Sequence, residues 1–285
     1  MDKQEIFFYL NGKFLKGKEI NISPFDRGFQ FADGVYETVR LYNGKIFKLE
    51  EHFFRLKRSL SKLKINFNDF KKLKKAISEL VKINSFTEEH LLVYLQITRG
   101  DFFPRQHFFP PPDIKPTIFI SVTPFKPKET ELKEGIKVIL TNDLRWGRCD
   151  IKSTMLLPNI MARQEAFEKN AGEAILVRDG FITEGTHTNF FAVKDGKLYT
   201  HPLSDFILSG VTRKVILEIC SENKIQFFEK KIKADELKSF DECMITGTIS
   251  EVTPVIQVNN WKVGNGKSGP ITLKLQEILC EMIAA

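Results

Sequence analysis

Three Asn-Gly or Asp-Gly pairs, each lying between stretches of strand-forming residues, constrain the fold of this 285-residue chain most strongly. The pairs are Asn11-Gly12, Asn43-Gly44 and Asp195-Gly196. These residue types accept positive backbone φ angles, so they favour the tight turns that join two antiparallel strands. The sequence therefore predicts β-hairpins in both halves of the chain, over residues 6–15, 34–49 and 188–200.

Helices and further strands are predicted between these hairpins. Apolar residues recur at helical spacing over 50–63, 69–84, 158–170, a segment that begins near 211, and 270–283. Strand patterns occupy 91–98, 117–122, 136–140, 173–178, 225–231 and 242–246. The order predicts an α+β chain of two domains with a cleft between them. The domains are a small α/β domain at 1–122, a proline-containing extended linker at 123–130, and a large domain at 131–285.

Charge and cysteine content exclude several classes of protein. The formal net charge is +7, but the densest lysine run, 71–75, lies in an amphipathic helical pattern, which indicates a solvated face and not a nucleic-acid groove. No apolar stretch approaches the ~20 residues of a membrane span, and the first residues lack a signal-peptide pattern. The four cysteines are too far apart for a metal knuckle or a redox pair. We therefore expect a cytoplasmic protein with free thiols, no metal site and no membrane or nucleic-acid partner.

Lys152 is the residue with the greatest chemical interest. It lies among Trp146, Cys149 and Ile151 and precedes the apolar segment 155–157. Partial burial lowers the pKa of an ammonium group, and a neutral amine is a nucleophile that can form a Schiff base. The alternative is a lysine whose stem packs while its charged head reaches water.

Four other patterns contain groups suited to an anionic aromatic ligand. Glu184 lies among small hydroxyl residues, and a buried carboxylate there could face a cationic ring nitrogen. Segment 208–213 opens a predicted helix, and segment 246–251 follows a predicted strand, so both could bind phosphate through backbone N–H groups. Arg55 could clamp the same phosphate. Each pattern also has a simpler interpretation, namely a polar turn, an N-cap or a surface arginine.

Together, a Schiff-base lysine, a carboxylate for a ring nitrogen and several phosphate donors indicate pyridoxal 5′-phosphate (PLP). Over residues 5–280 the chain resembles the fold-type IV PLP enzymes, which are the class IV aminotransferases. Within that family it is most similar to the bacterial D-amino acid aminotransferases. The matching segments are DRGFQFADGVYE (26–37), EHFFRL (51–56), TRG (98–100), PRQHFFP (104–110), RWGRCDIKS (145–153), EAILVRDGFITEG (173–185), YTHP (199–202), SGVTR (209–213) and SEVTPVI (250–256).

This resemblance implies a role for each candidate cofactor residue. Lys152 would hold PLP covalently and would move a proton between Cα of the substrate and C4′ of the cofactor. Glu184 would pair with the pyridine nitrogen, and Leu208 would pack on the ring. The phosphate would be bound by Arg55, Val211, Thr212, Gly247 and Thr248.

The resemblance also implies a substrate site. Tyr36, Arg105 and His107 would bind the α-carboxylate, for which a guanidinium group is a good geometric match. In this family the loop that carries Arg105 and His107 reaches into the neighbouring subunit, so the resemblance implies a homodimer. At two positions the chain departs from the enzymes compared: His187 replaces a serine, and Gly247 replaces a hydroxyl residue.

The implied reaction is transamination between a D-amino acid and a 2-oxo acid. D-Alanine or D-glutamate would be paired with 2-oxoglutarate or pyruvate. The alternatives on the same fold are an L-branched-chain amino acid aminotransferase and aminodeoxychorismate lyase, neither of which would need the Arg105 and His107 pair. A basic binding protein without enzymatic activity is a remote alternative, which predicts salt-sensitive affinity for nucleic acid.

Overall fold

A computed structural model describes residues 4–284, which form two compact units. The first unit comprises residues 4–126 together with Ile151–Met155, and the second comprises Pro127–Asp150 together with residues 156–284. The segment that carries Lys152 thus groups with the first unit, whereas the predicted bounds placed it in the second domain. Those domain bounds remain a prediction. Between residues 4 and 284, no helix is long and apolar enough to cross a membrane.

The first unit is built on a six-stranded sheet whose strand order is β2-β1-β6-β5-β3-β4, with every pair antiparallel. The long central pair, β3 with β5, runs from Gly34 opposite Thr98 to Tyr42 opposite His90. The strands are β1 (Phe7–Leu10), β2 (Lys13–Lys16), β3 (Gly34–Tyr42), β4 (Lys45–Ile46), β5 (His90–Thr98) and β6 (Ile118–Pro124). The helices are α1 (Arg27–Phe31), α2 (Leu49–Lys62) and α3 (Phe70–Ile83).

Helices α2 and α3 bury one apolar face each. Leu56 of α2, and Leu73 and Leu80 of α3, are completely enclosed. Burying one such side chain stabilises the fold by about 1.5–3 kcal/mol, which anchors both helices. Asp69 begins α3 as its N-cap and accepts a hydrogen bond from Lys72 N at 3.0 Å. The helices predicted over 50–63 and 69–84 are confirmed to within a residue at each end.

The second unit contains a ten-stranded mixed sheet, with the order β12-β11-β10-β14-β15-β7-β8-β9-β13 and with β16 paired to β15. Its strands are β7 (Ile136–Asn142), β8 (Glu173–Arg178), β9 (Phe181–Gly185), β10 (Asn189–Lys194), β11 (Lys197–Thr200), β12 (Phe227–Glu229), β13 (Ile232–Lys233), β14 (Glu242–Gly247), β15 (Glu251–Val258) and β16 (Trp261–Lys262). Its helices are α4 (Glu129–Glu134), α5 (Leu157–Glu168), α6 (Val211–Glu222) and α7 (Pro270–Ala284). Apolar residues of β7, β8, β10, β14 and β15 form its core.

The three hairpins predicted from Asn-Gly and Asp-Gly pairs are confirmed, because all six of their turn residues have positive φ angles. One expectation was wrong, because the linker predicted to be extended contains the end of β6 and the start of α4, which begins at Glu129. Residues 186–188 form the bend between β9 and β10, where Gly185 N donates to Thr188 O at 2.7 Å, while Glu184 itself lies in β9. Its strand was missed although Asp179-Gly180, with φ angles of 52° and 78°, forms a further hairpin turn between β8 and β9.

Candidate active site

Lys152 is held against the start of β3 in the first unit. Its carbonyl accepts from Tyr36 N at 3.0 Å, and its own N–H donates to Ser59 Oγ at 3.2 Å. A β-bridge pairs the next residue, Ser153, with Val35. The Lys152 side chain is half-buried, and its Nζ lies 4.2 Å from the centroid of the Tyr36 ring. The structure therefore brings together two of the predicted site residues, Lys152 and Tyr36.

Arg55 forms a buried ion pair next to Tyr36. Arg55 Nε and one terminal nitrogen donate to the two oxygens of Glu37, each at 2.8 Å, and His52 Nδ1 lies 2.8 Å from the same carboxylate. Complete burial would raise the pKa of Glu37, but the charge and hydrogen bonds of Arg55 lower it to about 2. Burial lowers the pKa of His52, although Glu37 opposes that shift. The Glu37 pair fixes the Arg55 guanidinium in orientation, a partnership that sequence reasoning missed.

Arg105 and His107 lie on the exposed segment between β5 and β6. Residues 101–116 contain no helix or strand, apart from an isolated bridge at Asp101. Both side chains contact Phe31 at the end of α1. The Arg105 guanidinium carbon lies 4.3 Å from the ring centroid, and the centroids of Phe31 and His107 are 5.7 Å apart. The structure thus brings these two predicted carboxylate ligands to one aromatic ring.

Glu184 lies in β9 of the second unit and is almost completely buried. Its Oε1 accepts from Arg145 at 2.5 Å, while its Oε2 accepts from Asn189 Nδ2 at 2.9 Å and from Leu208 N at 3.0 Å. Arg145 is in turn held by both oxygens of Asp143, each at 2.9 Å. Arg145 was not among the residues predicted for the site, although it lies in a segment that matches the family and a buried carboxylate is normally paired with a cation.

The chemistry of this carboxylate suits a protonated ring nitrogen. Burial raises the pKa of Glu184, and the charge and hydrogen bond of Arg145 oppose that rise. An ionised carboxylate has about four lone-pair sites, and three donors occupy Glu184 in the part of the chain described. One site is left for a further N–H donor. The second unit therefore offers the acceptor that the pyridine nitrogen of PLP would need.

The beginning of α6 adjoins this carboxylate. Gly210 is the N-cap of α6, followed by Val211 and Thr212, and Asn189 Nδ2 also donates to Leu208 O at 2.9 Å. A Cβ atom on Gly210 would lie 1.9 Å from Asn189 Oδ1, so only glycine fits there. The simpler interpretation of this segment as a side-chain N-cap does not hold, because the cap position belongs to Gly210. The first N–H groups of a helix lack intrahelical acceptors, which makes them suitable for phosphate.

Gly247 and Thr248 lie where β14 ends and a turn begins. A Cβ atom on Gly247 would be 3.6 Å from His187 O and 3.6 Å from Thr188 Cγ2, which are ordinary contact distances. The two departures from the compared enzymes, His187 and Gly247, are therefore neighbours. His187 Nδ1 lies 3.1 Å from the buried carboxylate of Glu173.

Comparisons with known proteins agree with this chemistry. Residues 34–258 match the model of the family described as amino-transferase class IV. A D-alanine aminotransferase from Staphylococcus haemolyticus is 42% identical over 270 residues, which cover 94% of this chain and 95% of that protein.

Two solved structures share the fold. The branched-chain amino acid aminotransferase of Escherichia coli superposes with a TM-score of 0.90 at 24% identity, covering 98% of this chain and 95% of that one. The branched-chain aminotransferase of the thermophilic archaeon Thermoproteus uzoniensis, solved with norvaline, gives a TM-score of 0.86 at 28% identity, covering 98% and 94%. The chain belongs to the class IV aminotransferases and has their fold-type IV architecture.

Proposed function

We propose that this enzyme transfers an amino group between a D-amino acid and a 2-oxo acid, with D-alanine or D-glutamate as donor and 2-oxoglutarate or pyruvate as acceptor. The observation that carries this proposal is the 42% identity, over 94% of the chain, with a D-alanine aminotransferase. The environments of Lys152 and Glu184 support it, because they supply an amine and a buried acceptor. Class IV aminotransferases depend on PLP in general, so the proposed cofactor is PLP.

PLP supplies an electron sink that stabilises negative charge at the substrate Cα once it is bound. Lys152 would hold the cofactor and would move a proton to and from the substrate Cα. Glu184, held by Arg145, Asn189 and Leu208, would accept a hydrogen bond from the ring nitrogen and keep that nitrogen protonated. Leu208 would pack on the ring.

The phosphate is bound by the N–H groups at the beginning of α6 and at the end of β14. Val211 and Thr212 supply the first set, where the helix dipole also favours an anion. Gly247 and Thr248 supply the second set. Arg55, whose orientation Glu37 fixes, adds a positive charge.

The α-carboxylate is bound by Tyr36, Arg105 and His107. We propose that the enzyme is a homodimer in which Arg105 and His107 of one subunit complete the site of the other. Their exposed position within one chain is consistent with that arrangement. The proposed location is the cytoplasm, in keeping with the free state of all four cysteines.

The alternative with specific support is an L-branched-chain amino acid aminotransferase, because the solved structures named above have that function. The two functions differ in which substrates convert the bound cofactor. The purified enzyme would be mixed separately with D-alanine, D-glutamate and L-leucine, and the visible absorbance of the cofactor followed. Loss of the absorbance with D-amino acids alone supports the proposal, and loss with L-leucine alone replaces it with the alternative. Lack of response to all three would contradict both and favour the lyase.

A variant tests the lysine in the same assay. Lys152→Ala should abolish turnover, because it removes the amine proposed to hold the cofactor and shuttle the proton. Lys126→Ala, outside the proposed site, is the matched control and should keep full activity. Substantial transamination by a folded Lys152→Ala enzyme would refute the assignment.

A further inference from the structure

The loop that carries Arg105 and His107 is hydrogen-bonded to a buried arginine, Arg27, for which no role has been assigned. Arg27 opens α1, and its side chain is only 4% exposed. Its backbone N–H donates to Gly100 O at 2.9 Å, where the loop begins. Its terminal nitrogen donates to Gln106 O at 2.8 Å, and Gln106 is the residue between Arg105 and His107. One residue therefore fastens the loop at its start and at its middle.

A shared carboxylate holds this arginine in place. Asp33 Oδ2 accepts from Arg27 Nε at 2.8 Å and from Arg99 Nε at 2.7 Å, and Asp33 Oδ1 accepts from a second nitrogen of Arg99 at 2.9 Å. The guanidinium carbon of Arg99 lies 3.7 Å from the ring centroid of Phe109, two residues after His107 on the loop. Two guanidinium groups bound to one largely buried carboxylate thus contact the loop at Gln106 and at Phe109.

The Phe31 ring contacts Arg27 as well as the two proposed carboxylate ligands, Arg105 and His107. The guanidinium carbon of Arg27 lies 4.7 Å from the Phe31 centroid, and that of Arg105 lies 4.3 Å from the same centroid. His107 contacts the ring as well, with centroids 5.7 Å apart. An exposed arginine otherwise has many rotamers, and ordering them opposes binding. The Phe31 ring restricts Arg105 and His107 before a substrate arrives.

We propose that Arg27 and Phe31 are positioning residues that preset Arg105 and His107 as a trap for the substrate α-carboxylate. This inference rests on the proposed function, because it assumes that Arg105 and His107 bind that carboxylate. Arg27 and Phe31 act through the loop and do not touch the substrate. Their loss weakens substrate binding and leaves the chemistry at Lys152 unaffected.

Two variants separate positioning from folding. Arg27→Lys keeps the buried charge but lacks the planar fork that reaches both Asp33 and Gln106. Phe31→Leu keeps an apolar side chain but removes the aromatic face. Phe67→Leu is the matched control, since Phe67 is a half-buried phenylalanine of the same unit whose ring contacts only Phe70 among the ring pairs described. Thermal unfolding confirms which variants are folded, and Phe31→Leu still tests the proposal if Arg27→Lys is not.

The measurements are kcat and KM for D-alanine and the inhibition constant of propionate, a carboxylate without an amino group. We expect both folded variants to raise KM and the propionate constant about tenfold, the effect of one charge-assisted contact, with kcat changed by less than about twofold. The control should change neither. In a background that lacks both proposed ligands, Arg105→Ala with His107→Ala, the two substitutions should add nothing, because residues that act through one another are not additive.

The outcomes distinguish two failures. If Arg105→Ala raises KM but Arg27→Lys and Phe31→Leu do not, or if these two raise KM equally in the background that lacks both Arg105 and His107, the positioning role is wrong and the carboxylate trap stands. If Arg105→Ala leaves KM unchanged, the trap itself is wrong, and the positioning role falls with it.

Discussion

At the residue scale, the site depends on buried ion pairs more than on the residues that a motif identifies. Lys152 and Glu184 were proposed for the site because several segments with suitable chemistry occur together and resemble one family, since each segment alone also fits a simpler interpretation. Arg145 and Glu37 could not be predicted as partners, because Arg145 pairs with a residue 39 positions away and Glu37 with one 18 positions away. Local sequence contains no signal for such a pairing until the strands are in register.

Gly247 allows a direct test of the proposed phosphate site. A side chain at this position would make only ordinary contacts, so Gly247→Ser should be tolerated. The added hydroxyl should lower the dissociation constant of PLP about two- to tenfold, the effect of one hydrogen bond. The dissociation constant is measured by titrating the apoenzyme with PLP while protein fluorescence is recorded. Gly147→Ser, at an exposed position with open space around it, is the control and should leave the constant unchanged.

The Glu37 carboxyl predicts a specific dependence of stability on acid. Its pKa is about 2 in the folded chain and near 4.5 when unfolded, so its stabilising effect is complete above about pH 4.5 and is lost as the pH falls toward 2. Between pH 6 and 3.5 the wild type should lose about 1 kcal/mol more unfolding free energy than Glu37→Gln. Urea unfolding at both pH values measures this. Glu89→Gln, at an exposed position, is the control and should lose as much unfolding free energy as wild type. If Glu37→Gln and wild type lose equal unfolding free energy over this pH range, the low pKa of Glu37 is wrong.

At the scale of elements, the beginnings of α6 and β10 together hold Glu184 in place. The Gly210 position lets α6 begin beside Asn189, the first residue of β10, and Asn189 joins Glu184 to Leu208. Hairpins were predictable because their turn residues have an intrinsic preference for positive φ angles. The start of α4 inside the predicted linker was not, since Glu129–Glu134 lacks apolar periodicity and its helix depends on packing against β15.

The contact between Gly210 and Asn189 gives the prediction at this scale. In Gly210→Ala the new Cβ must displace the Asn189 side chain, which is buried and holds Glu184. We expect the melting temperature of the apoenzyme to fall and PLP affinity to drop at least about tenfold, since a buried hydrogen bond to a carboxylate is lost. Calorimetry and PLP titration measure the two effects. Gly147→Ala is the control. If Gly210→Ala leaves the affinity for PLP unaltered, the beginning of α6 does not take part in binding the cofactor.

At the scale of the whole molecule, the proposed homodimer makes each site depend on two chains. Arg105 and His107 are exposed in one chain, and so are Phe103 and Phe108 on the same loop. The proposal that Arg105 and His107 are functional rests on the resemblance, because two polar residues on an irregular segment are ordinarily surface residues. No local sequence pattern predicts which residues would contact a partner subunit.

Subunit mixing tests this dependence. Lys152→Ala and Arg105→Ala enzymes, each with strongly reduced activity toward low D-alanine, would be mixed in equal amounts, unfolded and refolded together. If the loop completes the neighbouring site, half of the dimers are mixed and each has one intact site, so about a quarter of wild-type activity should return. Refolding each variant alone is the control. Failure to recover activity in a mixture that contains mixed dimers would place the loop in its own subunit's site.

The segment Ile151–Met155 has a consequence for how the chain is made. It contributes Lys152 and the bridge to Val35 to the first unit, yet 24 residues of the second unit, Pro127–Asp150, come before it in the chain. Domains generally fold in the order in which they leave the ribosome. Here the first unit cannot gain Lys152, the proposed anchor of the cofactor, until synthesis has continued well into the second unit. A nascent chain stalled before residue 151 contains every strand of the first unit's sheet but lacks the one lysine proposed to hold the cofactor.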